Sequence, residues 1–163
     1  MINLKPNRIY IVKDAFFNEF NDPYLTYNKN ENRPHGIVFK DPNPKLSELF
    51  WIIPMGSNIQ KYREKIDYSI KNRGNCDFWY IDKIGNKQSV FLICNMFPII
   101  PRYIKREYTI NKIPLEIKNK KTIKEINKRA KKVHAKIHHN RKSMPETLPD
   151  VLSIKQKLLN SFY

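Results

Sequence analysis

The chain has 163 residues, enough for one domain with a hydrophobic core, and its 31 Lys and Arg against 15 Asp and Glu give a formal charge of +16. Such an excess indicates a polyanionic partner, and nucleic acid is favoured over a membrane because no segment approaches the ~18 apolar residues of a transmembrane helix. Cys76 and Cys94 are too few for a disulfide scaffold and lack zinc-ligand spacing. Residues 1–8 lack the apolar core of a signal peptide, so we expect a cytoplasmic protein, and we expect no cofactor.

Short apolar and aromatic runs predict a β-rich first part of the chain. Strands are predicted over residues 8–12, 35–40, 50–53, 78–84 and 88–94, with a bent extended segment over 96–101 and a strand or irregular segment over 103–113. Asp14 is expected to start a brief helix, and residues 58–70 form an amphipathic one. The polar, proline-punctuated stretch 21–34 predicts a long surface loop.

The last third of the chain has a helical pattern. Apolar residues recur at three- and four-residue intervals over 118–142, and a final helix is marked by residues from Val151 to Phe162. Strands first and helices last predict an α+β fold with a compact, curved, antiparallel sheet or barrel. We expect a single domain, with a β-rich core over 1–114 and basic helices over 115–163.

Ser57 stands at a predicted turn from strand to helix. Pro54 cannot donate to a strand ladder, so pairing is expected to stop there, and Gly56 permits unusual backbone angles. Ser57 occupies the expected N-cap position, beside free backbone N–H groups that suit a phosphate. An ordinary N-cap serine is the alternative interpretation of this residue.

Three short motifs in this order resemble the ToxN/AbiQ toxins of type III toxin–antitoxin systems. They are Pro-His-Gly-Ile-Val at 34–38, Ile-Pro-Met-Gly-Ser at 53–57 and Met-Phe-Pro-Ile-Ile at 96–100, followed by the helical last third. The Lys/Asn-rich sequence and the Phe-Trp-Ile-Ile-Pro-Met-Gly-Ser variant are most similar to the CptN and TenpN branches.

The resemblance implies a fold related to the MazF/PemK toxins and a metal-independent endoribonuclease that leaves a 2′,3′-cyclic phosphate and a 5′-hydroxyl. It also implies an RNA antitoxin, a small repeated pseudoknot that the enzyme cuts from its own precursor. Antitoxin and toxin are expected to form a protein–RNA assembly, cellular RNAs are the expected substrates, and phage defence is an expected role.

The resemblance transfers to site residues only in part. Ser57 falls on the family's active-site turn, where Gly56 replaces a threonine. The basic residue after the turn is displaced to Lys61, and Arg33 matches a position that is lysine in relatives. An aromatic hydroxyl of relatives aligns with Phe16, for which Tyr10 is a distant substitute.

Cleavage through the 2′-hydroxyl requires an in-line geometry and stabilisation of the added negative charge. The predicted catalytic residues are Ser57, Lys61, Arg33 and His35. The imidazole of His35 suits acid–base work near neutral pH, although a strand histidine bonded to backbone is the alternative. The helix histidines at 134, 138 and 139 are expected to lie on a solvated face.

The predicted RNA contacts include the lysines and the arginine of the basic helix, which would track phosphates along a groove. The full set is Lys40, Asn58, Tyr10, Lys121, Lys124, Lys128, Arg129, Lys132 and Lys136. Trp79, Tyr80, Tyr103 and Tyr108 are candidates for stacking on unpaired bases. A lysine-rich solvated helix face is the competing interpretation of the basic helix.

Two other functions remain open on the sequence. A non-catalytic RNA-binding module would be basic for the same electrostatic reason. A MazF/PemK-type ribonuclease toxin would pair with a protein antitoxin instead of an RNA.

Overall fold

The structure is a computed structural model that describes residues 3–161, with the side chains of all these residues except 37 and 38. The predicted end of the last helix at Phe162 lies outside the described residues. The strands are β1 (Ile9–Val12), β2 (Pro34–Lys40), β3 (Phe50–Gly56), β4 (Trp79–Ile84), β5 (Lys87–Leu92), β6 (Phe97–Ile99), β7 (Ile104–Glu107), β8 (Thr109–Ile110) and β9 (Ile113–Pro114). The helices are α1 (Asp14–Glu19), α2 (Ile59–Arg73), α3 (Lys120–His139) and α4 (Val151–Asn160).

Seven strands form one antiparallel sheet with β3 at its centre. Its order is β4-β5-β3-β2-β1-β7, and β6 also pairs with β3. The predicted hairpins β2–β3 and β4–β5 are both present. The segment predicted as a strand or irregular contains β7 and the small separate hairpin β8–β9.

Pro54 does not end β3, contrary to the prediction. The strand continues to Gly56, and Pro54 marks a change of partner instead. Pairing with β2 runs up to the His35–Pro54 pair, and on the opposite edge β6 pairs with Phe50–Ile52 while β5 pairs with Met55 and Gly56. A residue without a backbone N–H is tolerated at the point where pairing with one strand ends and pairing with the next begins. This exchange lets two strands share one edge of β3.

The helical last third packs onto the sheet through apolar stripes. α3 buries Ile126, Ala130, Val133 and Ile137 together with Thr122, close to the predicted stripe, and α4 buries Val151, Ile154 and Leu158. These side chains belong to the same hydrophobic cluster as the sheet residues. None of the helices in the described part of the chain is long and apolar enough to cross a membrane.

Candidate active site

The candidate site lies at the end of β3, where the chain turns into α2. Asn58, and not Ser57 as predicted, is the N-cap of α2, because its side-chain oxygen accepts from the Lys61 N–H at 3.3 Å. Asn and Ser cap helices almost equally well, so the sequence did not decide between these neighbours. Ser57 stands one residue earlier and is exposed, and within residues 3–161 its hydroxyl makes no hydrogen bond. The hydroxyl is therefore available to a ligand beside the first turn of the helix.

Arg33 reaches this turn from the start of β2. Its Nη1 donates to the Met55 carbonyl at 2.8 Å and its Nε donates to the Tyr27 carbonyl. Burial lowers the pKa of the Arg33 guanidinium, opposed by the nearby Tyr62. In the described part of the chain, Nη2 has no hydrogen-bond partner, so one end of the fork is left to meet an anion.

The loop before Arg33 is anchored by a buried amide. Asn28 is only 4% exposed, and its Nδ2 donates to the Val12 carbonyl and to an Asp14 carboxylate oxygen, both at 2.9 Å. The backbone carbonyl of Asn28 accepts a hydrogen bond from the backbone N–H of Arg33 at 3.1 Å. Glu31 in the same loop forms an ion pair with Lys105 at 2.6 Å. These ties fix the backbone from which the guanidinium projects.

Gly56 leaves room for this arrangement. A Cβ built at position 56 would lie 3.2 Å from Cγ1 of Val90 and 3.9 Å from Nη1 of Arg33. The first distance is shorter than ordinary van der Waals contact, so a threonine would have to push Val90 aside. Gly56 thus replaces the threonine of related toxins at a position where a side chain does not fit unless Val90 moves.

Tyr62 is a site residue that the sequence pattern did not reveal, because it was assigned to the apolar face of the helix. It is half-buried, and burial, together with the nearby Cys94, raises the pKa of its hydroxyl, opposed by Arg33. The ammonium of Lys61 lies 5.4 Å from its ring centroid. Arg33, Lys61 and Tyr62 therefore meet beside the Ser57 turn.

No family model matches the sequence, and no curated protein matches it. Among solved structures, the chain is similar to AbiQ, described as a lactococcal anti-phage endoribonuclease belonging to the type III toxin–antitoxin system. The TM-score is 0.72 at 15% identity, covering 98% of this chain and 100% of that chain. The chain has the AbiQ fold.

The resemblance expected from the three motifs is therefore confirmed for the fold, as is the prediction of an α+β fold with a large antiparallel sheet. The toxin MazF-mt6 of Mycobacterium tuberculosis is a weaker likeness, with a TM-score of 0.42 at 11% identity over 78% of this chain and 95% of that chain. That value is too low to say anything about this protein.

Within the AbiQ fold, His35 is not placed for the predicted acid–base role. Its side chain is fully buried, with its ring packed against those of Phe17 and Phe97, and desolvation lowers its pKa to about 3. Nδ1 lies 2.9 Å from the Arg33 carbonyl, and Nε2 is buried without a partner among the described residues. A neutral, buried imidazole cannot reach a substrate, and the alternative of a backbone-bonded strand histidine describes it.

The structure also contradicts the prediction for Tyr10, and it leaves Phe16 without any access to the site. Both side chains are fully buried, and the Tyr10 hydroxyl accepts from the Lys5 N–H at 2.7 Å. Neither can contact RNA. Tyr62, on α2, places an aromatic hydroxyl within electrostatic range of Arg33 instead.

Lys40 is exposed but lies away from the turn. It pairs with Phe50 at the far end of the β2–β3 hairpin, whereas His35 pairs with Pro54 near Ser57. Five residues of strand separate the two ends of β2, which corresponds to about 16 Å. Lys40 is therefore not part of the candidate site, although Asn58 is, as the helix cap.

The cations of α3 divide into two groups. Arg129 is committed to the fold, because its Nε donates to the Cys76 carbonyl at 3.2 Å and its guanidinium lies 4.6 Å from the Tyr80 ring. Lys132 lies 3.8 Å from an Asp77 oxygen, and Lys136 lies over the Phe78 ring. Lys121, Lys124 and Lys128 are exposed. RNA binding by these residues stays a prediction.

The helix histidines are not on a solvated face as predicted, apart from the exposed His139. His134 and His138 pack edge-on against Trp51, with ring centroids at 4.8 and 5.6 Å. The described residues contain no group of three His, Cys, Asp or Glu side chains placed to hold a metal ion.

Proposed function

We propose that this protein is a toxin endoribonuclease of a type III toxin–antitoxin system. The observation that carries the proposal is the AbiQ fold over 98% of the chain, combined with an exposed serine among cationic groups at a strand-to-helix turn. The formal charge of +16 is consistent with an RNA partner.

In the proposed reaction, the 2′-oxygen of a ribose attacks the adjacent phosphorus, and the bond from phosphorus to the 5′-oxygen of the next nucleotide breaks. The 2′-hydroxyl gives up its proton and the leaving oxygen gains one, so the products are a 2′,3′-cyclic phosphate and a 5′-hydroxyl. The reaction consumes no cofactor.

The chain's contribution to this reaction is placement and charge. Ser57 and the Gln60 N–H, which has no hydrogen-bond partner among the described residues, donate to a phosphate oxygen. The Ile59 and Lys61 N–H groups are already bonded to the Ser57 carbonyl and the Asn58 side chain. The free end of the Arg33 guanidinium and the ammonium of Lys61 offset the charge that grows on the phosphorane. Tyr62, whose raised pKa keeps its hydroxyl protonated, is a further donor beside Arg33.

The proposed regulator is an RNA antitoxin, a small repeated pseudoknot that the enzyme releases from its own precursor. The antitoxin would remain bound as a product across Ser57, and inhibition then needs no allosteric change. Such an assembly contains both protein and RNA, acts in the cytoplasm and serves phage defence. This part of the proposal is supported by the similarity to AbiQ, which belongs to the type III toxin–antitoxin system, and by the basic charge of this chain.

The test is incubation of RNA with the purified protein in EDTA, followed by assay of 2′,3′-cyclic phosphate ends. We expect such ends with the natural protein, a large loss with Ser57→Ala, and no loss with Ser47→Ala. Ser47 is an exposed serine of the β2–β3 connection, so the control makes the same chemical change at a distance from the turn. Unaltered cleavage by a folded Ser57→Ala protein would show that the assigned site is wrong.

Sequencing of the RNA that copurifies with the protein tests the proposed antitoxin. A short repeated RNA with ends left by cyclic-phosphate chemistry is the expected result. Binding of RNA without any new ends, in the same EDTA assay, would identify a non-catalytic RNA-binding module instead.

A further inference from the structure

A groove of about 890 Å³ runs along one side of α2. Its floor is formed by Phe78 and Trp79, and the segment 142–146 forms the wall opposite the helix. The volume is within the range of ordinary ligand sites, about 300 to 1,000 Å³. The site residues proposed above account for only one end of it.

That end is Lys61, which belongs to both the candidate active site and the groove. From Lys61 the lining continues along α2 to Arg73, a distance of about 18 Å at the rise of an α-helix. The aromatic surface is also continuous, because the Tyr62 ring lies 6.1 Å from the Trp79 ring. A chain that leaves the Ser57 turn on this side therefore enters the groove directly.

The charge of the groove favours an anion. Its lining contains four cations, Lys61, Lys65, Arg73 and Lys142, and two carboxylates, Glu64 and Glu146. None of these cations is in an ion pair with a carboxylate of residues 3–161. Their charged groups are therefore available to phosphates.

The aromatic floor favours unpaired bases. Lys65 holds its ammonium 5.1 Å from the Trp79 centroid, an exposed cation–π contact of about 0.5–1 kcal/mol. Stacking of a base on an aromatic side chain contributes about 1–3 kcal/mol, so a base can displace the ammonium from the ring with a net gain. The displaced ammonium remains beside the ring, where the phosphate of the same nucleotide lies.

We propose that this groove binds the single-stranded RNA that flanks the cleaved phosphodiester, with a base stacked on Trp79 and phosphates on Lys65 and Lys142. The inference rests on the proposed function and assigns a role to the face of α2 opposite α3. A duplex hides its base faces and cannot stack on Trp79, and an acidic peptide has no planar group for the aromatic floor.

The experiment is a titration of tryptophan fluorescence with a 2′-deoxy oligonucleotide of about eight nucleotides, a size typical of single-strand grooves. This probe lacks the attacking hydroxyl and cannot be cut. The chain has two tryptophans, and Trp51 is fully buried, so quenching reports on Trp79. We expect quenching by the single strand, little by the same sequence as a duplex, and little by polyglutamate.

Charge-matched double variants locate the contact. Lys65→Ala with Lys142→Ala removes two exposed lysines of the groove, and Lys45→Ala with Lys157→Ala removes two exposed lysines outside it. We expect the first pair of substitutions to weaken oligonucleotide binding about tenfold or more, because these two lysines contact phosphates in the proposed complex. The second pair should change binding less than twofold. All four positions are on the surface, so the proteins are expected to fold.

The proposal that the groove binds RNA would be overturned if the single strand caused no quenching. It would also be overturned if the two double variants weakened oligonucleotide binding equally. Equal quenching by the duplex or by polyglutamate would overturn it as well. Cleavage of RNA with no effect of the groove pair on binding or on kcat/KM would leave the proposed enzyme and refute only the groove. Quenching without any cleavage of RNA would retain the groove and refute the enzyme.

Discussion

Two basic helices of this protein, α2 and α3, differ in what their cations do. α3 buries five side chains, and several of its cations contact the protein itself: Arg129 bonds Cys76 and Lys132 approaches Asp77. α2 buries only Ser69 among its fifteen residues, and its lysines lie over aromatic rings or in solvent. The helix with the clearer lysine pattern is therefore the one more occupied with folding. The density of lysine along a sequence therefore does not show by itself which cations are free to meet a ligand.

The largest expected effect comes from the turn that starts α2. Ser57→Ala should lower kcat about 10²–10³-fold, as loss of one preorganised donor to a developing oxyanion does in other enzymes. Single-turnover cleavage of a labelled RNA measures this, and the urea midpoint shows that the variant remains folded. A loss of less than about threefold would remove Ser57 from the proposed reaction.

The next largest effect is a difference between α3 and α2 in how much the loss of one arginine destabilises the fold. Arg129→Ala on α3 should lower the free energy of unfolding by about 1.5–3 kcal/mol, because it removes charge-assisted hydrogen bonds to Cys76 and Glu125. Arg63→Ala, at an exposed position of α2, should change it by less than about 0.5 kcal/mol. Urea unfolding of the two variants measures this difference. Equal losses of unfolding free energy would contradict the claim that the cations of α3 contribute more to the fold than those of α2.

Acid should destabilise the protein through two histidines, the buried His35 of β2 and the half-buried His134 of α3. Burial lowers the pKa of His35, near the Ser57 turn, to about 3 and that of His134, on α3, to about 4. In the unfolded chain these groups take up protons near pH 6.5, whereas the folded protein does not. Stability is therefore full above pH 6.5 and falls as the pH drops toward 4, by up to about 1.4 kcal/mol per pH unit for each histidine.

Urea unfolding between pH 7 and pH 5 tests this with two variants. His35→Asn keeps a donor near the Arg33 carbonyl but does not titrate, and His134→Leu removes the titration on α3. Each should flatten the pH dependence by a similar amount over this range, because both folded pKa values lie below pH 5. A steeper loss of stability in acid for either variant would show that the sign is wrong.

The smallest expected effect concerns single lysines. Lys61→Ala should reduce the slope of log K against log salt for single-stranded RNA by about 0.7, the value of one phosphate contact. Lys121→Ala, at the start of α3, removes the same charge and should leave the slope unchanged. A matching decrease for Lys121 would mean that the RNA follows α3 as well as α2, as the sequence pattern suggested.

Local patterns predicted most elements of the fold. The alternation and length of the apolar runs found β2, β3, β4 and β5, and the stripe from Ile126 to Ile137 found α3, because each of these depends on neighbours in the sequence. The end of β3 was missed because Pro54 blocks a ladder only on one side. The strand found a new partner in β5, which lies more than thirty residues further along the chain.

The site was harder to predict because it depends on contacts between distant segments. Arg33 and Ser57 were both selected from the motifs, and the structure does bring Arg33 to the Ser57 turn, through the Met55 carbonyl. His35 differs from them because the distant Phe17 and Phe97 help to bury its ring, which its own sequence neighbours do not reveal. Tyr62 required knowledge of how α2 lies against the sheet.

The two carbonyls that hold Arg33 have one further consequence. One belongs to Tyr27 in the long loop and the other to Met55 in β3, so a single side chain fastens the loop to the strand. The same guanidinium that would grip the substrate also shapes the surface on which the substrate rests. Lysine at this position would keep the charge but could not donate to both carbonyls and still face outward. Substitution of Arg33 is therefore expected to change the stability of the fold and the rate of the proposed reaction together.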